Sequence, residues 1–316
     1  MSRNEKKKND HPVLKTIGAA AAVGTAAYAG TAYYIFREAF DLGHSRYKLP
    51  GNSISPDQTE QGENTKFLES AKRSDDTIQS YDGVTLHAMR LTTHPESHKW
   101  MIFAHGYHSC AKDMLSYAEK ASGKGYNLMM PDSRGCGLSG GTYTGLGWPE
   151  HYDLISWIGY LTSFDPEAQI VLFGVSMGAS SVMNAAGDYL PDNVKCAIED
   201  SGYSDLKEEL IYATDQGMKI PSRPFMPCVD FYVKQFLHFS FYDIDTKRQL
   251  RAAHVPMLFL HGEMDQAVPP QMVHECYSAC GSEKEIHTFP CGHAEAFRQP
   301  EYWETVWNFV DRFIPE

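Results

Sequence analysis

The chain has 316 residues, 42% hydrophobic, 12% aromatic and 22% charged, with Lys+Arg 28 against Asp+Glu 40 for a formal net charge of −12. Those proportions exclude wholesale disorder, collagen and a small disulfide scaffold, and the length fits one large domain or two small ones. The charge is uneven. Residues 1–16 carry Arg3, Lys6, Lys7, Lys8 and Lys15 against Glu5 and Asp10, a local +3, and residues 17–36 carry none, so the rest of the chain must hold −15. An acidic body argues against nucleic acid as a partner, because phosphate binding needs a basic surface.

The uncharged stretch Ile17–Phe36 is the first predicted element. At about 1.5 Å per residue it would run roughly 30 Å as a helix, one hydrocarbon core. Basic residues precede it and Tyr33, Tyr34 and Phe36 close it, so it reads as a single-pass signal anchor with the body outside the cytoplasmic membrane. Its many Ala and Gly residues make insertion marginal. A cleaved signal peptide ending at Ala27-Tyr28-Ala29 is a second reading and a buried Ala-rich helix a third. Residues 37–75 read as a spacer, polar and turn-rich from Leu49 to about Asp76, with a short helix possible at Thr65–Lys72.

From residue 76 to the end, strand-like and helix-like patterns alternate. Short apolar runs at Leu86–Leu91, Trp100–Ala104, Asn127–Met130, Ile170–Phe173, Val194–Ile198, Pro256–Leu260 and Glu285–Phe289 predict strands. Helical patterns fall at Lys112–Lys124, Glu150–Ser163, Ser176–Tyr189, Pro270–Ala279 and Pro300–Phe313. Such alternation predicts an α/β class with a mostly parallel sheet flanked by helices. An insertion at about 203–251 interrupts it and reads as a small helical cap. Its aromatic residues Phe225, Phe231, Tyr232, Phe236, Phe239, Phe241 and Tyr242 either pack the cap onto the sheet or line an apolar substrate pocket.

Gly174-Val175-Ser176-Met177-Gly178 has the Gly-x-Ser-x-Gly form, with a buried strand leading in and a small-residue helix leading out. That is the setting in which a sharp turn lifts a serine out of a sheet as a nucleophile. A serine needs a base, and the base an orienting acid. The next two strands open into loops holding Asp265 and His293, which supply them in the order Ser, Asp, His. Asp200, ending the preceding strand, is the rival acid, and Glu263 lies earlier in the same turn as Asp265. His261 and His287 read as structural. Oxyanion donors are expected from the backbone amides of Met177 and of Tyr107, the latter in the loop after Trp100–Ala104. His105 reads as a brace in that loop. The run from Asp132 to Ser139 reads as a structural loop under the site, with a direct substrate role for Arg134 left open.

The combination HGY, PDSRGCGLS, GVSMG, GEMDQAVP and CGHAEAF resembles the α/β-hydrolase superfamily over about residue 76 to the end. It is most similar to membrane-anchored or secreted bacterial serine hydrolases of the prolyl-oligopeptidase-like and serine-aminopeptidase-like branches, although no propeller domain is present. The resemblance implies Ser176 as nucleophile, His293 as base, Asp265 as acid and the Tyr107 and Met177 amides as oxyanion hole. The reaction expected is acyl transfer to water on a small to medium carboxylic ester. A peptidase acting on short peptides is the second reading, and a non-catalytic binding module on the same scaffold a third. No cofactor or metal is expected, since no Cys-x2-Cys pair or His-Glu-x-x-His run exists, and the seven cysteines read as free thiols.

Overall fold

The computed structural model describes residues 12–45, 64 and 66–315, the first eight of these as backbone alone. The basic tail up to residue 11 and most of the expected spacer, 46–63, lie outside the described residues. Eight strands form one sheet in the order β1-β2-β4-β3-β5-β6-β7-β8: β1 Lys72–Gln79, β2 Thr85–Thr92, β3 Lys99–Ala104, β4 Asn127–Pro131, β5 Gln169–Val175, β6 Val194–Asp200, β7 Met257–Gly262 and β8 Lys284–Phe289. The pairs β1/β2 and β2/β4 are antiparallel and every other pair is parallel. The predicted α/β architecture is therefore the one found. Strand β1 was missed because KRSDDTIQ carries four charges in eight residues. That is how an edge strand discourages pairing with another chain, and it hides the strand from an apolar-run search.

The α-helices include α1 Pro12–Phe40, α2 Leu115–Ser122, α3 Trp148–Phe164, α4 Met177–Ala186, α5 Leu206–Ala213, α6 Met226–Leu237, α7 Thr246–Ala252, α8 Gln271–Ala279 and α9 Tyr302–Val310. Alternation along the strands feeds two cores. Met101 and Phe103 of β3 face one side, with α2 and α9, while Trp100 and Ile102 face the other, with α3, α4 and α8. Helix ends are fixed locally: Glu150 in the first turn of α3 accepts the Gly147 and Gly145 amides at 2.8 and 2.7 Å, and Asp205 caps α5 by accepting the Glu208 amide at 3.0 Å. All seven cysteines are free of disulfides.

The N-terminal segment departs most from expectation. No helix among the described residues is long and apolar enough to cross a membrane, so the predicted anchor is not supported at this level. The helix α1 does form, and it runs through Phe40, past the predicted anchor and into the predicted spacer. Its residues 20–28 are exposed, while Ala32, Ile35, Phe36, Ala39 and Phe40 are buried in a third cluster with the cap. Phe36 stacks on Phe236 at 5.3 Å and on Phe40 at 5.6 Å, and Tyr28 stacks on Phe225 at 5.2 Å. Phe225, Tyr232 and Phe236 of the insertion therefore form a seat for α1, a use that the sequence did not suggest.

Candidate active site

In a parallel sheet the carboxyl ends of the strands share one edge, so the loops that leave them meet. Ser176 follows β5, Asp265 follows β7, His293 follows β8 and Tyr107 follows β3. Ser176 sits at φ 57° and ψ −119°, a conformation that costs an L-residue energy and is imposed by the turn between β5 and α4. The flanking glycines are required by contact. A Cβ on Gly174 would lie 2.3 Å from the Gly178 carbonyl oxygen, and one on Gly178 would lie 2.0 Å from the Ala104 carbonyl oxygen.

The Ser176 hydroxyl donates to His293 Nε2 at 2.9 Å, and His293 Nδ1–H donates to Asp265 Oδ2 at 2.7 Å. All three residues are buried. Asp265 Oδ1 accepts the amides of Ala267 and Val268 at 2.8 and 2.9 Å, which fixes the carboxylate plane. Burial works against its charge, yet the hydrogen bonds and charges of His261 and His293 hold it well below the usual carboxylate range.

The rival acids are committed elsewhere. Asp200 accepts from Ser201 Oγ at 2.8 Å and from the Tyr302 hydroxyl at 2.7 Å, and Glu263 accepts from Thr288 at 2.8 Å. His287 is exposed on β8. His261, read as structural, has a closer tie to the site: its Nε2–H donates to the Val268 carbonyl at 3.2 Å and lies 3.1 Å from Asp265 Oδ2, within ion-pair distance. The Asp265 carboxylate is thus held from two sides, a fact invisible in sequence because His261 precedes the turn. His105 braces two loops, donating from Nδ1 to the Gly106 carbonyl at 2.8 Å and accepting the Ser133 amide on Nε2 at 2.9 Å. Burial lowers its pKa, in keeping with a neutral ring. Arg134 forms ion pairs with Asp153 and Asp82 at 2.8 and 2.7 Å, which makes its role structural.

Ser176 opens onto an apolar cleft that is continuous with solvent. Tyr107 and Met177 border it beside the serine, and Leu146, Leu206, Leu210 and Val268 are part of its apolar wall. Ala39 of α1 also borders it, and the Tyr107 hydroxyl donates to the Glu38 carbonyl at 2.9 Å. The N-terminal helix is thus part of the site's framework.

The family model described as serine aminopeptidase, S33, matches residues 95–219. Among curated proteins the chain is similar to the uncharacterized protein YqkD of Bacillus subtilis, 25% identical over 256 residues, 80% of this chain and 81% of that one. It is also similar to an uncharacterized membrane protein of Saccharomyces cerevisiae, 26% identical over 192 residues, 59% of this chain and 61% of that one. Among solved structures it is similar to an esterase of Pyrococcus furiosus, with TM-score 0.65 and 25% identity over 79% of this chain and 95% of the esterase.

Proposed function

We propose, from the premise that this chain is a hydrolase of the α/β-hydrolase superfamily, that it is a serine hydrolase of carboxylic esters with small to medium apolar acyl groups. The observation that carries the reading is the hydrogen-bonded line Ser176–His293–Asp265 ending at an apolar cavity. His293 takes the proton of Ser176 as the serine oxygen bonds to the ester carbonyl carbon. The tetrahedral oxyanion is held by the amides of Tyr107 and Met177, each donor worth about 3 kcal/mol where single donors have been removed elsewhere. Met177 is the first residue of α4, where amides have no partner within the helix and the helix end favours negative charge. Collapse of the intermediate breaks the ester C–O bond, and His293 returns the proton to the departing alcohol. Water then attacks the acyl-serine by the same route. Asp265 stays ionised throughout, holding the imidazole tautomer that presents Nε2 to the serine.

The esterase neighbour supports ester over peptide chemistry, and the aminopeptidase-named family supports the second reading, a peptidase trimming short peptides. Paired chromogenic substrates separate them: p-nitrophenyl acyl esters should turn over and aminoacyl p-nitroanilides should not. Turnover confined to the anilides would leave only the peptidase. A fluorophosphonate should label the wild type and spare Ser176→Ala, whereas equal labelling of both would remove the serine mechanism altogether.

We also propose that α1 attaches the protein to a membrane with the body outside the cytoplasmic membrane. Support comes from the exposure of its uncharged residues 20–28, with Val23 70% exposed, and from the membrane-protein name of the yeast relative. Carbonate-washed membranes should retain the wild type and release Val23→Lys combined with Ala26→Lys. Equal partition of the two would refute attachment through this helix.

A further inference from the structure

Glu209, on α5 of the cap, borders the same cavity as Ser176. Its side chain is buried, and its Oε2 has no hydrogen-bond partner among the described residues. The groups that face it do not neutralise it: Asp265 is negative, and Tyr203 and Tyr212 are phenols. Burial, reinforced by the Asp265 charge, pushes the carboxyl well above its ordinary range. An unpaired carboxylate in such a place would cost far more than a neutral acid, which favours COOH, one donor and one acceptor in a largely apolar wall. Nearly all buried polar groups in proteins are paired, and Glu209 is an unpaired one in the wall of the space in which a ligand belongs. Leucine would fill the position without this penalty.

We infer that Glu209 is a specificity-determining residue, hydrogen-bonding an oxygen substituent on the acyl chain, so that the preferred substrates are oxo- or hydroxyacyl esters rather than plain hydrocarbon ones. The inference rests on the ester-hydrolase reading above and sharpens it. A neutral carboxyl donates to a ketone or hydroxyl oxygen and can also accept from a hydroxyl. A plain acyl chain lying in the same space leaves that hydrogen bond unmade, and sites built for a polar substituent discriminate strongly against analogues that lack it.

The test uses the full chain and p-nitrophenyl esters in matched pairs: pentanoate with 4-oxopentanoate, hexanoate with 5-oxohexanoate, and heptanoate with 6-oxoheptanoate. The readout is the ratio of kcat/KM, oxo over plain, within each pair. For at least one pair the wild-type ratio should exceed that of Glu209→Leu by about tenfold or more, the scale of one hydrogen bond. Glu209→Gln, which keeps a donor and an acceptor, should restore most of the preference. Because the ratio is internal to each protein, a partly folded variant does not distort it. Plain esters turned over with the same ratios in all three proteins would overturn the inference and leave the hydrolase standing. No turnover of any ester by wild type would overturn both. A melting temperature lowered in Glu209→Leu together with unchanged ratios would make Glu209 a structural residue only.

Discussion

Behind Asp265 lies a second buried carboxyl whose titration is measurable. Glu199, in the penultimate position of β6, is fully buried; its Oε2 accepts the Gly202 amide at 2.9 Å, and its Oε1 has no partner among the described residues. Burial pushes its pKa from the ordinary 4.5 up to about 8, against a smaller opposing pull from His261. The native protein therefore keeps, between those two values, a proton that the unfolded chain has released. The contribution to stability is complete below pH 4.5 and falls as pH rises toward 8, by about 1.4 kcal/mol per pH unit. From pH 5 to pH 7 that is roughly 2–3 kcal/mol. Glu199→Gln reproduces the shape of the neutral acid and removes the titration. Other buried groups, such as His105 and His151, titrate in both proteins, so the quantity to follow is the difference between wild type and variant. Urea unfolding at pH 5, 6, 7 and 8 should show the variant gaining on the wild type by that amount over the first two units, with m unchanged. A difference that stays flat across the series would refute the claim that burial holds the proton on Glu199.

Four further outcomes follow from the geometry. Ser176→Ala should abolish fluorophosphonate labelling and cut ester turnover by roughly 10⁴- to 10⁶-fold, and Asp265→Asn should cost about 10⁴ in kcat by presenting the wrong imidazole tautomer, both readable by steady-state kinetics with circular dichroism as the folding control. Gly178→Ala forces a methyl group to within 2.0 Å of the Ala104 carbonyl oxygen, so the variant should be destabilised by several kcal/mol and inactive, and a thermal melt matching wild type would contradict the packing described at the turn. Phe36→Ala removes a buried ring that meets Phe40, Tyr143, Tyr232 and Phe236 and should cost about 3–5 kcal/mol of local stability, exposing α1 to limited proteolysis while β3 and β5 stay protected.

The residues that were legible in sequence are those whose roles depend on local pattern. Ser176 is marked by glycines that the turn itself demands, and Asp265 and His293 by their places just beyond apolar strands. The structure brings all three together with Tyr107 and Met177 because parallel strands deliver their carboxyl ends to one edge. What escaped is what depends on distant contacts. The contact between His261 and Asp265 spans four residues, but its meaning appears only once His293 arrives on the other side of the same carboxylate. Glu209 lies among the polar residues Asp205, Lys207 and Glu208 of a capped helix, and only its spacing from Leu206 marks it as the one that turns inward. Strand β1 was hidden by the charges that suit it to the edge of the sheet.

The helix α1 shows the same limit from the other side. Its absence of charge is a strong local signal, and it drew a boundary at residue 36 between an anchor and a spacer. Packing places the boundary elsewhere: residues 20–28 are exposed, while residues 32–40 are largely buried against the cap and reach the cavity wall at Ala39. An uncharged face serves equally for lipid and for a protein core, because both reward the removal of apolar surface from water. The aromatic run in the cap is the complement to that face, and neither segment explains its own composition alone. The consequence for the chemistry is direct. Since Glu38 accepts a hydrogen bond from Tyr107, the position of α1 bears on the loop whose amide is assigned to the oxyanion, and a displacement of the helix should be felt at the serine.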